Sequence, residues 1–81
     1  MNKIESQNIH AIKRAKQRYG VDITVLDLKK IANKIRKGKS IFVERSTLRI
    51  VKHLVNHKGI DMLVAYDKNR NSVCSFLPKS R

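Results

Sequence analysis

Thr24-Val-Leu-Asp-Leu-Lys-Lys-Ile-Ala-Asn-Lys-Ile-Arg-Lys-Gly38 is followed directly by Lys39-Ser-Ile-Phe-Val-Glu-Arg45, and the apolar pattern changes between the two. In the first segment Val25, Leu28, Ile31, Ala32 and Ile35 recur at helical spacing. Thr24 is placed to cap that helix with Asp27 at the third position, a carboxylate version of the capping box, and Gly38 is its stop. Beyond Gly38 the chain is rich in Ile, Val, Leu, Phe and Tyr, in runs separated by short polar turns. Strands are expected at about 40–45, 48–55, 60–66 and 72–77. Links this short favour antiparallel neighbours, hence a meander of three or four strands.

Upstream, Ile9, Ala11, Ile12, Ala15 and Tyr19 form the apolar arc of another helix, expected at about 6–19 with Ser6 as cap and Gly20 as stop. The second helix is expected at about 25–37. The reading is one α+β domain over residues 1–81, with two N-terminal helices covering one face of an antiparallel sheet.

The charge is one-sided. The chain carries 19 Lys+Arg against 6 Asp+Glu, a formal net charge of +13 on 81 residues. Residues 1–39 contribute +8 and residues 40–81 contribute +5, so the cationic surface belongs to the folded body and not to a tail. Self-repulsion on this scale favours polyanionic partners: RNA first, DNA second, with no membrane partner expected. No apolar run reaches membrane-spanning length, and the first residues lack the apolar region of a signal peptide. The lone Cys74 has no internal disulfide partner, which fits a reducing cytoplasm, and its strand context suits a small core side chain.

The first helix also carries chemistry. His10, Arg14 and Arg18 stand at i, i+4 and i+8, stacked on one face, with Lys13 beside them. Guanidiniums grip phosphate bidentately, and an imidazole beside them can move a proton. A duller reading is the solvated edge of an amphipathic helix. His53 and His57 have the i, i+4 spacing of a helical zinc site, but on a strand four residues span roughly 13 Å, too far for one ion. No metal or other cofactor is expected. His53 and His57 are instead expected to meet nucleic acid from the sheet, together with Arg49, Lys52 and Lys58. Glu44 beside Arg45 is the nearest candidate for a carboxylate base, and a surface ion pair is the plainer reading.

Two motifs carry a resemblance. His10-Ala-Ile-x-x-Ala-x-x-Arg18-Tyr19-Gly20, with Arg14-Ala15 inside it, and Val73-Cys-Ser-Phe-Leu-Pro78 after the Tyr66-Asp67 turn are similar to those of a family of small phage and prophage proteins. The order of helix, helix and meander on a small basic chain resembles the barnase–EndoU–colicin–RelE (BECR) superfamily of ribonuclease toxins. The resemblance spans nearly the whole chain. It implies a RelE-like fold and metal-independent cleavage of RNA, tRNA or mRNA, in a bacterial host cytoplasm if phage-encoded. It adds Ser75 as a hydroxyl that would hydrogen-bond the phosphate. His10 would act as acid or base, Arg14 and Arg18 as the phosphate clamp, and Tyr66 as a stacking or phenol-donating group. Ser75 also alternates with Val73 and Leu77, the pattern of an ordinary strand residue. Three functions stay open: a toxin-type ribonuclease with an antitoxin partner, a non-catalytic nucleic-acid-binding module, and a protein that targets a host protein by charge.

Overall fold

The computed structural model describes residues 3–78. Two helices, α1 (Lys3–Tyr19) and α2 (Val25–Arg36), precede four strands, β1 (Ile41–Arg45), β2 (Ile50–His57), β3 (Ile60–Asp67) and β4 (Ser72–Leu77). The strands form one antiparallel sheet in the order β1-β2-β3-β4, so the architecture is the expected α+β meander. Thr24 starts α2 as a reciprocal capping box. Its Oγ1 accepts the Asp27 N–H at 3.1 Å, and Asp27 Oδ2 accepts the Thr24 N–H at 2.9 Å. At the end of α1, Gly20 adopts φ 66° and donates its N–H to Lys16 O, a left-handed cap that costs a glycine nothing in sterics.

Three boundaries differ from expectation by two residues or more. Helix α1 already includes Lys3, which puts Ser6 inside the helix and not at its cap. Nothing in Lys3-Ile-Glu-Ser breaks a helix, so the cap preference of serine loses to propagation. Strand β2 begins at Ile50 and not at residue 48, because Thr47 Oγ1 accepts the Ile50 N–H at 3.0 Å and holds the preceding residues in a turn. The strand then runs to His57, since the β2–β3 hairpin needs only Lys58 and Gly59. Both have positive φ (55° and 76°), the type I′ geometry that matches strand twist.

One face of the sheet bears the core. Val51 and Val55 of β2, Met62, Val64 and Tyr66 of β3, and Val73 and Phe76 of β4 pack against Leu28, Ile31, Ala32 and Ile35 of α2. Ala11 and Ala15 of α1 are fully buried in the same core. Small side chains there let α1 lie close along β4. The two run parallel: Gln7 bonds Ser72 at one end, and the Tyr19 hydroxyl bonds Leu77 O and the Leu63 N–H at the other.

Strand β1 is different. It is exposed throughout, with Ile41 64%, Phe42 59% and Val43 47% accessible, and a bulge interrupts its pairing between Phe42 and Glu44.

Candidate nucleic-acid interface

Among the described residues, the second face of the sheet carries no helix across its centre, although Leu63 and Ala65 of β3 are buried there. Cross-strand register writes its rows directly. Ile41, Leu54, Leu63 and Leu77 form an aliphatic row across all four strands, and Glu44, Lys52, Ala65 and Ser75 form a polar row beside it. Lys52 Nζ meets Glu44 Oε2 at 2.9 Å in that row, so Glu44 pairs with Lys52 across the strands and not with its neighbour Arg45.

Helix α1 walls this face along β4, and Gln7 sets its rotation. Asp67 alternates with the core residue Tyr66 and therefore points to the helix-free side, as does its register partner Ser72. Gln7 Nε2 donates to Asp67 Oδ2 at 3.3 Å, while its Oε1 accepts from Ser72 Oγ at 2.8 Å. The Gln7 side of α1 thus turns toward the helix-free face. From Gln7 to Arg14 the helix rotates by nearly two full turns and rises roughly 10 Å. The bulge at Cys74 makes Ser72 to Ser75 match only two residues of β3, roughly 7 Å, so along the strand Arg14 stands beyond Ser75, nearer the level of Phe76. Arg18 returns to the same side about one turn later, toward Leu77.

His10 lies on the solvent side of that row and is exposed. Arg14 Nε is 3.5 Å from His10 Nε2, and a second guanidinium nitrogen bonds Gln17 Oε1 at 3.1 Å. Lys13 lies farther round, where it lines a shallow depression with Ser6, Ile9 and His10. By register Ser75 and Lys52 lie on the helix-free face, and by helical rotation Arg14 and Arg18 lie on the side of α1 turned toward it, with His10 and Lys13 farther round.

The remaining sequence candidates lie elsewhere. Tyr66 belongs to the core face, opposite Ser75; its hydroxyl donates to Asn71 Oδ1 at 3.1 Å, and burial raises its pKa. The stacking or phenol-donating role expected of Tyr66 is therefore corrected, since its ring is buried in the core and its hydroxyl is engaged by Asn71. His57 is buried, with Nε2 3.0 Å from Asp27 Oδ1, and Lys58 Nζ lies 3.3 Å from Asp27 Oδ2. These two fasten the β2–β3 hairpin to the start of α2, so His57 is a buried structural group and not a nucleic-acid contact. Arg49 Nε lies 3.8 Å from the fully buried Asp67 carboxylate while its side chain stays half exposed. His53 lies on the core face at its uncovered end, near β1, and bonds Ser40 Oγ through Nδ1 at 2.8 Å.

Two buried carboxylates escaped the sequence reading as tertiary anchors. The Thr24 backbone N–H, then His57, with the Thr24 hydroxyl and Lys58, hold the Asp27 carboxyl far below the usual range despite burial. Burial alone would raise Asp67, but Gln7, the N–H groups of Arg70 and Asn69, and Arg49 hold it below its ordinary value. A carboxylate so tied is a poor proton acceptor. Burial pushes the Cys74 thiol up, and its Sγ bonds Ala65 O at 3.3 Å, so it is a weak nucleophile.

Among the described residues no group of three His, Cys, Asp or Glu is arranged to hold a metal ion, and no helix is long and apolar enough to cross a membrane. In comparisons with known proteins, no family model, no curated protein and no solved structure matches the chain.

Proposed function

We propose that this chain is an RNA-binding protein that cleaves RNA without a metal, and that the phosphate is held where α1 meets the helix-free face. The observation that carries the reading is the rotation of α1 set by Gln7, whose bonds to Asp67 and Ser72 turn toward the helix-free face the side of α1 that also carries Arg14 and Arg18. A net charge of +13 supports a polyanionic partner, and the resemblance to BECR toxins supports cleavage. In this reading two guanidiniums and the Ser75 hydroxyl grip the scissile phosphate and stabilise the charge that develops on it. The ribose 2′-oxygen attacks phosphorus and the 5′-oxygen leaves, giving a 2′,3′-cyclic phosphate and a 5′-hydroxyl. His10 takes the 2′-proton or supplies the 5′-oxygen with one, and solvent performs the other transfer.

The second reading is binding without cleavage, on the same surface. It is favoured by the exposure of His10 on an open helix side and by the engagement of Asp27, Asp67 and Glu44 in ion pairs. A nucleic-acid contact and an acidic host or antitoxin partner would use the same cations.

Purified protein incubated with tRNA and a structured mRNA in EDTA separates these. Discrete fragments are expected from the parent chain, with His10→Ala slowing cleavage by about 10²- to 10⁴-fold and leaving RNA affinity within a few-fold. Equal cutting by both proteins removes His10 from the chemistry. Intact RNA that shifts on a gel leaves the binding reading alone, and RNA that neither shifts nor breaks rejects both.

A further inference from the structure

The core face is not covered to its end. Beyond α2 it continues to the β1 edge, where Phe42 stands opposite His53 and Tyr66 lies diagonally across from His53, two residues along β3 from its register partner Val64. Phe42 and His53 rings meet edge to face at 5.7 Å and 80°, and His53 and Tyr66 at 6.4 Å and 82°. Tyr66 closes the inner end of this group, where Arg36 at the end of α2 is near enough to act on its hydroxyl. Phe42 forms the outer end and keeps 59% of its surface in solvent.

His53 is held in place within this group. Ser40 Oγ fixes Nδ1 at 2.8 Å, while Nε2 has no protein partner among the described residues. No fully buried polar side-chain atom there lacks a partner, so Nε2 is not fully enclosed. We infer that Phe42 and His53 form a nucleobase site, in which a single-stranded base stacks on the free face of Phe42 and bonds Nε2 of His53 through its edge. The inference rests on the proposed RNA binding.

Three features fit a base better than another apolar ligand. The exposed ring offers a flat face, which every nucleobase can cover. The imidazole offers one directed polar atom. If Ser40 donates to Nδ1, Nε2–H is a donor; if Nδ1–H donates to Ser40, Nε2 is an acceptor, and base edges carry both kinds. Burial lowers the His53 pKa, which keeps the ring neutral and both tautomers accessible. Arg45 lies on the same face as Val51 by register and supplies a cation for the adjoining phosphate. Because β1 is the sheet edge, a strand gripped at α1 can cross the helix-free face, roughly 14 Å of sheet, and turn around β1 to reach this site.

The test uses a 2′-O-methyl octaribonucleotide, which lacks the nucleophile and cannot be cut, and a matched octamer with abasic central positions. The parent chain is expected to prefer the intact octamer by about tenfold, the scale of one base–aromatic stack. Phe42→Tyr should keep that preference and Phe42→Leu should lose most of it; Phe42 is exposed, so neither variant disturbs the core. Retention of the preference by Phe42→Leu, or equal binding of both octamers by the parent, overturns the nucleobase site and leaves RNA binding standing. Failure of the parent to bind either octamer overturns the RNA reading and this inference with it.

Discussion

Asp27 receives hydrogen bonds from the Thr24 backbone and hydroxyl, His57 and Lys58, and Asp67 from Gln7 and two backbone N–H groups. Both carboxyls are held below the ordinary aspartate value in the folded chain, by the bonds from Thr24 and His57 at Asp27 and from Gln7 and the turn N–H groups at Asp67, and lose those bonds on unfolding. Their stabilisation is therefore fully present above about pH 4 and is lost as pH falls through the folded values. Urea midpoints should hold from neutrality to about pH 4 and then drop steeply. Asp27→Asn should cost about 1–3 kcal/mol at pH 7, because it removes the carboxylate that accepts from Thr24, His57 and Lys58, and should flatten the acid limb. An acid limb unchanged in the variant would show that Asp27 does not control it. Half of this arrangement is legible in sequence. Thr24 and Asp27 form a local pattern, whereas the approach of His57 depends on sheet register thirty residues away.

The elements follow their sequence patterns where one face is buried. Helices α1 and α2 were legible because apolar residues recur at three and four. The start of β2 moved by two residues, but a shift of two preserves which side chains share a face, so Val51 and Val55 still point to the core. Strand β3 gives no such signal. Met62 through Asp67 are buried on both faces, and a central strand of this kind shows no alternation from which to assign a helix-covered side. That is why Tyr66 and Ser75 could be expected together while lying on opposite faces. The capping box of α2 is worth a direct test: Thr24→Ala should lower stability by about 1 kcal/mol in urea unfolding followed by helical ellipticity. No change would mean that sheet packing alone sets the start of α2.

Across the whole molecule, the row of Arg14 and Arg18 was legible from spacing alone, because a helix turns that spacing into one face. Its relation to β4 was not, since it depends on Gln7 reaching Asp67 and Ser72. Arg14→Ala with Arg18→Ala should weaken binding to single-stranded RNA and flatten the log–log salt dependence by about 1.4, for two phosphates released. A slope equal to that of the parent would remove both arginines from the interface.

The bare edge of β1 gives the +13 charge another meaning. Three consecutive exposed apolar residues, Ile41 to Val43, sit on a strand whose outer backbone groups have no neighbouring strand. Mutual repulsion opposes the meeting of such edges. Under the proposed RNA binding a polyanion would cancel that repulsion, so the protein is expected to act as a charge-stabilised colloid, with turbidity low in either excess and highest near the ratio at which the charges balance.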